Sequence, residues 1–256
     1  DVAGPMCRVA DMQPFYDALP FPLTDAQRRA IGDAVGDMTS SRPMNRLCQG
    51  DVGSGKTMVA AAAAYCAARN GAQTALMAPT EILAEQHFAS LSALFVPLGV
   101  SVALLTGSMT GKQKKDVRER IAAGEVQVVI GTHALLSEST RFDNLGLVIT
   151  DEQHRFGVKH RAVLSKKGDK PHTLVMSATP IPRTLALMLY GDLDVSVLDE
   201  LPPGRQPIET YYVTGKLRAR AFGYVKKHLD EGRQGYIVCP LVEEGDEDIA
   251  AAESYA

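Results

Sequence analysis

The chain has 256 residues, with 45% hydrophobic and 22% charged residues and a formal net charge of −3. That length allows one large or two small domains, and the composition is that of an ordinary globular protein. The longest run of small apolar residues, 58–68, is too short for a bilayer span, which needs ~20 residues, and the small negative charge argues against a surface coated in basic groups for nucleic acid.

The N-terminus has no basic stretch followed by an apolar one, so no secretory signal is expected. It also lacks an initiator Met, so the first residue is not taken as a native start. Cys7, Cys48, Cys66 and Cys239 form no CxxC pair and no zinc spacing, and are read as reduced thiols of a cytoplasmic protein.

The first signal is Leu19 to Gln27, in which Thr24 and Gln27 have the spacing of a helix capping box. A short apolar run, 46–49, leads into Gly50, Asp51, Val52, Gly53, Ser54, Gly55, Lys56 and Thr57. This matches GxxxxGK[ST] between a strand and the helical run 58–69, the setting that a P-loop requires. Its glycines let main-chain N–H groups curl toward phosphate oxygens, and the helix start adds a positive dipole end. Lys56 is placed to reach the β- and γ-phosphates of a nucleoside triphosphate, and the Thr57 hydroxyl to complete a Mg²⁺ shell.

Further apolar runs at 74–77, 102–105, 126–130, 145–150 and 173–176 alternate with helical segments. Near-continuous apolar strands of this kind are buried on both faces, which predicts a parallel sheet in an α/β domain. After Thr80, a candidate cap, Leu83, Leu91, Leu94 and Phe95 keep helical spacing. Thr110 and Gln113 form a second capping box, and Gly124 is the expected stop of that helix. The locally basic stretches 112–120, 159–161 and 166–167 read most simply as solvated faces.

The run 145–150 ends in Asp151, Glu152, Gln153 and His154. An acid at the carboxyl end of a buried strand lies on the ligand edge of an α/β sheet. Asp151 is placed to hold Mg²⁺ through water and Glu152 to orient and deprotonate an attacking water. Gln153 and His154 are candidates for sensing the γ-phosphate. Ser177, Ala178 and Thr179 follow the next run. Residues 201–207, with three prolines and a glycine, punctuate the chain and are read as a linker. Beyond them a strand at 208–213, a helix at about 216–231 and a strand at 235–239 are expected.

The order P-loop, Asp-Glu-Gln-His, Ser-Ala-Thr resembles superfamily 2 helicases, which implies RecA-like P-loop NTPase domains. Residues 78–87 resemble that superfamily's motif Ia, and 106–108 and 131–135 its Ib and Ic. The resemblance implies DNA contacts at Pro79, Thr80, Glu81, Thr106, Gly107, Ser108, Thr132 and His133. It also implies adenine recognition by Gln27 with Phe21 stacking nearby, although the capping box explains Gln27 as well, and Thr80 and 106–108 also read as a cap and a turn. Ser177, Ala178, Thr179 and Arg183, with Gln153 and His154, would couple hydrolysis to movement. Glu152, Lys56 and His154 would carry catalysis.

Longer strings at 50–57, 78–87, 151–158, 178–185 and 199–205 resemble the RecG family of DNA helicases. The transcription–repair coupling factors are the nearest alternative. The RecG resemblance implies ATP and Mg²⁺, a branched or double-stranded DNA partner such as a stalled fork or Holliday junction, and work in repair and recombination. A monomer in the bacterial cytoplasm without membrane attachment is expected, with a single-strand-binding protein as a possible associate. The expected organisation is an extension at 1–14, a first RecA-like domain at 15–200, the linker at 201–207, and the start of a second RecA-like domain at 208–256. RecG proteins carry an N-terminal wedge domain and arginines on the second motor domain. The residues before Phe15 are too few for the first, and 208–256 too short for the second, so weak or absent hydrolysis is expected of this stretch alone.

Overall fold

The computed structural model describes residues 7–8, 11–152, 163–164, 166–178, 193–200 and 208–238. The chain divides into two compact units, Asp1–Arg205 and Gln206–Ala256.

The first unit is built on seven strands: β1 Asn45–Gly50, β2 Gln73–Met77, β3 Val102–Leu105, β4 Val128–Gly131, β5 Leu145–Glu152, β6 His172–Ser177 and β7 Asp194–Leu198. Every pairing is parallel, in the order β3-β4-β2-β5-β6-β1-β7. The six strands expected from apolar runs are present. The seventh, β7, is an addition: its side chains alternate between exposed and buried along an edge, so the continuous apolar signal of a central strand is missing.

Five helices of this unit are described: α1 Gln13–Asp17, α2 Asp25–Met38, α3 Lys56–Arg69, α4 Glu81–Phe95 and α5 Gly111–Ala122. Both capping boxes form as read. Thr24 accepts from the Gln27 N–H while Gln27 accepts from the Thr24 N–H, and Thr110 and Gln113 repeat the pattern. Helix α5 ends at Ala122, and Gly124 beyond it takes a φ of +73°. Helix α3 is buried continuously from Val59 to Ala68. Seven of those ten residues are alanines in the sequence, and their small side chains let a helix apolar on all sides lie against the sheet and α2. Phe15 and Tyr65 pack at 5.7 Å between ring centres and tie α1 to this layer.

Polar anchors join the sheet's ends to its flanks. Gln73 is 3% exposed and donates to the Ile121 and Val126 carbonyls, while its own carbonyl accepts from the Asn144 N–H. Arg46, also buried, donates to Asp37 at 2.7 Å and to the Ser196 hydroxyl at 2.8 Å, fixing α2 and β7 to β1. Two cations of the basic stretches are tied inward. Lys167 donates to the Ser137 and Thr140 carbonyls, and Arg118 to the Thr140 hydroxyl. Among the described residues, Cys7, Cys48 and Cys66 form no disulfide, and no helix is long and apolar enough to cross a membrane.

In the second unit the described residues contain one α-helix, α6 Arg218–Asp230, with Gly232 at φ +83° beyond it. Among the described residues, the strands expected at 208–213 and 235–239 do not form. Residues 208–214 and 233–238 are irregular, and Cys239 lies outside the described residues. A strand exists only where a neighbour takes up its N–H and C=O groups, and among the described residues neither segment has such a ladder. Tyr212 and Val238 are 94% and 92% exposed. The linker read at 201–207 lies outside the described residues.

Candidate functional site

In a parallel sheet all strands point their carboxyl ends the same way, so the residues after each strand collect on one edge. Register fixes which of them are level. On one half of the edge Ser177 of β6 stands opposite both Gln49 of β1 and Glu152 of β5. The P-loop, the acidic pair and the Ser-Ala-Thr segment therefore leave neighbouring strands at one height. On the other half, Gly131 of β4 stands opposite Leu105 of β3 and Met77 of β2. The residues that follow, Thr106–Ser108, Thr132–His133 and 78–81, are likewise level.

On the first half the P-loop turns from β1 into α3. Gly53 and Gly55 have φ of +81° and +85°. At Gly55 a side chain is doubly excluded, because a Cβ would also fall 1.9 Å from the Gln27 amide nitrogen. The Ser54 N–H bonds the Asp51 carbonyl at 3.0 Å and the Met58 N–H the Gly55 carbonyl at 2.9 Å. Lys56 curls over the loop and donates to the Gly50 and Asp51 carbonyls. Burial pulls its ammonium below the usual lysine range, while Cys48, Asp151 and Asp51 oppose the shift. The Ser54 hydroxyl is buried with no hydrogen-bond partner.

A cavity of about 270 Å³ joins Gly53, Lys56 and Thr57 to Asp151, Ala178 and Leu83. A buried polar orphan, positive-φ glycines at a helix start, a partly buried lysine and a carboxylate across the cavity form a cradle suited to a phosphate chain with a divalent cation. A second cavity, about 230 Å³, runs from Gly50 and Asp51 past Ala178 to Leu198 and Glu200. Val52 and Phe21 are 69% and 48% exposed, which leaves Phe21 free to stack on a planar group.

Gln27 is 2% exposed. Its carbonyl accepts from Thr24, and its amide donates to the Ser54 carbonyl at 3.1 Å. In this arrangement Gln27 links the start of α2 to the P-loop main chain, and the capping box, one of its two readings, is present.

Asp151 is not solitary. Its Oδ2 lies 2.7 Å from Nε2 of His87, on α4. A carboxylate can only accept, so the ring nitrogen carries the hydrogen. His87 falls within the motif Ia string, but nothing in its spacing marked it out. Glu152 closes β5, and its side chain lies outside the described residues. So do Gln153, His154, Thr179 and Arg183.

On the second half, Thr80 caps α4 by accepting the Leu83 N–H at 3.3 Å. Pro79 precedes it, half-buried. The Glu81 carboxylate accepts the Ser108 N–H at 2.9 Å. Hydrogen bonds from Ser108 hold its carboxyl below the usual range, with smaller help from Gly107 and His133. Glu81 is expected among the DNA contacts; in this arrangement its carboxylate holds the 106–108 loop. Lys114 donates to the Gly107 carbonyl, the Thr106 and Ser108 hydroxyls lie 3.2 Å apart, and Thr132 Oγ1 is buried without a partner. His133 is exposed beside Gly107.

The sequence profile of the DEAD/DEAH box helicases matches residues 24–188. The chain belongs to this family. Among curated helicases it is 56% identical over 236 residues to the ATP-dependent DNA helicase RecG of Bacillus subtilis, covering 92% of this chain and 35% of that protein. It is 50% identical over 242 residues to RecG of Synechocystis, covering 94% and 29%. The chain thus spans about a third of the length of the curated relatives it matches. A solved structure of RecG bound to a three-way DNA junction superposes with a TM-score of 0.82 at 46% identity, over 94% of this chain and 32% of that one. The parallel sheet flanked by helices is the RecA-like helicase fold of these relatives. The helicase profile begins at Thr24, the cap of the helix that carries Gln27, and takes in both halves of the carboxyl edge.

Proposed function

We propose that the chain supplies the first ATP-binding motor domain, and the opening of the second, of an ATP-dependent DNA translocase that remodels branched DNA. The observation that carries this reading is the division of one sheet edge into a phosphate cradle with an acid across from it and, beside it, a row of hydroxyl and N–H groups at strand ends. Groups of the second kind grip a DNA backbone without reading its sequence. The similarity to curated RecG proteins at 50–56% identity, and to a RecG solved on a three-way junction at 46%, favours this over a coupling factor acting on stalled RNA polymerase.

In this reading ATP is the substrate. Main-chain N–H groups of 53–57 surround its phosphates, and Lys56 leaves the loop carbonyls to reach them. Gln27 steadies the loop from behind and Phe21 stacks near the base. Thr57 and Asp151 hold Mg²⁺, which when bound neutralises charge on the β- and γ-phosphates. Glu152 takes the proton of the attacking water. Ser177 and Ala178, level with Glu152 and the P-loop, report the state of the phosphates to the rest of the motor, with Gln153, His154, Thr179 and Arg183 assigned to the same task. A bacterial cytoplasmic location, action as a monomer, and association with a single-strand-binding protein belong to the same proposal.

The test is ATP turnover and unwinding of three-way junctions by the whole protein, with Lys56→Ala as the control. Junction-stimulated turnover that disappears with Lys56→Ala is expected. Turnover that ignores DNA, or survives Lys56→Ala, would refute the reading.

A further inference from the structure

Helix α4 touches both halves of the carboxyl edge. In its first turn Glu81 holds the Ser108 N–H at 2.9 Å, and six residues later His87 holds the Asp151 carboxylate at 2.7 Å. These points are ~9 Å apart along a helix rising ~1.5 Å per residue. The helix is anchored to the core at its far end by the buried Leu91, Leu94 and Phe95, whereas its first half buries only Ala84 fully, with Leu83 and Phe88 packed half-buried against the core. Polar ties add to this lighter packing at the N-terminal turns, and they run to opposite sites. At Asp151 the tie engages Oδ2, one of the two oxygens of a carboxylate that lines the cradle. The His87 and Asp151 side chains are 11% and 23% exposed, so the pair is largely shielded from solvent.

We propose that α4 is a lever in which His87 positions the Asp151 carboxylate, making Mg²⁺ affinity at the nucleotide cradle depend on whether DNA occupies the loop held by Glu81. This rests on the proposed function. His87 is a positioning residue, acting through Asp151. Two sites that bias one element are coupled reciprocally: DNA alters Mg²⁺–nucleotide affinity by the same factor as Mg²⁺–nucleotide alters DNA affinity. Residues that orient metal-holding carboxylates commonly change metal affinity ~10–100-fold when removed.

The experiment titrates Mg²⁺ against binding of a fluorescent ATP analogue to the chain, with and without a three-way DNA junction. In the unsubstituted chain the junction is expected to shift the Mg²⁺ midpoint. His87→Ala should raise the midpoint ~10–100-fold, leave Mg²⁺-free nucleotide affinity within about twofold, and abolish the junction's effect. His87→Gln, which retains an N–H donor, should recover most of the midpoint. Glu81→Ala, distant from the nucleotide, should leave the DNA-free midpoint in place and abolish the junction's effect. A His87→Ala chain whose midpoint and junction shift match the unsubstituted chain overturns the proposal. If His87→Ala does not fold, an unchanged junction shift in Glu81→Ala overturns it equally. If the unsubstituted chain shows no Mg²⁺-dependent nucleotide binding, the proposed function itself fails and the lever falls with it.

Discussion

On the half of the carboxyl edge formed by β1, β5 and β6, polar groups are presented largely by main chain held in conformations that exclude side chains. On the half formed by β2, β3 and β4 they are presented by residues that cap helices or tie loops. The first half holds Gly53 and Gly55 at positive φ and packs Gln27 against the loop. The second relies on Thr80, Glu81 and Lys114, each making one or two hydrogen bonds at the surface. A main-chain cradle is specific and brittle, because one added carbon disrupts it. A side-chain row adapts and is adjustable one bond at a time.

The largest expected effect lies on the brittle half. Lys56→Ala should lower turnover by on the order of 10²–10³-fold, as loss of one preorganised cationic donor does, with the thermal midpoint nearly unchanged. Steady-state ATPase and a melting curve check both parts. Gly131→Ala asks whether the adaptable half has a rigid floor. The new Cβ would fall 2.1 Å from the Leu105 carbonyl oxygen, a main-chain atom that cannot step aside. Loss of roughly 1–3 kcal/mol is expected, read from the denaturant midpoint.

Thr24→Ala and Thr110→Ala sharpen the contrast as a pair. Each removes an equivalent capping box and should cost about 1 kcal/mol of stability. Only Thr24→Ala should also weaken nucleotide binding, since Gln27 serves both the cap and the P-loop. Equal nucleotide affinities would show that the two boxes are interchangeable.

The smallest effect is expected at Glu81. Glu81→Gln keeps an acceptor for Ser108 while removing a negative charge beside the strand row, so DNA affinity should rise a few-fold in a fluorescence titration at low salt. The pH dependence carries a definite sign. The folded carboxyl titrates below its ordinary value of 4.5. The tie is therefore complete above that value and is lost as pH falls through the lowered one. The Ser108 amide resonance should move in that acid range and hold still in Glu81→Gln.

The P-loop was legible because its chemistry demands fixed residue types at fixed spacing next to a strand and a helix. The capping boxes were legible because each is a closed local circuit between two residues three positions apart. Six strands showed as apolar runs, whereas β7 did not, because an edge strand can alternate. The segments 208–213 and 235–239 carry strand-like sequences, yet strand formation is decided by a neighbour that local pattern does not contain. His87 went unremarked for a related reason. Its partner is 64 positions away, and no helical or strand period relates them. The tie from Glu81 to Ser108, 27 positions away, was not legible either, since a string of residues tells which segment is involved and not which atom an acid will face.

Strand order also sets a timetable for synthesis. The strands bearing the adaptable half, β2, β3 and β4, come from residues 73–131 and pair among themselves. The strand that launches the P-loop, β1, is made before all of them, yet among the described residues it pairs only with β6 and β7. Those begin at His172 and Asp194. At ~5–20 residues per second, the first-made strand waits on the order of ten seconds with both edges open. The nucleotide cradle is thus the last part of the edge to close, although its strand is the first of these seven to be made.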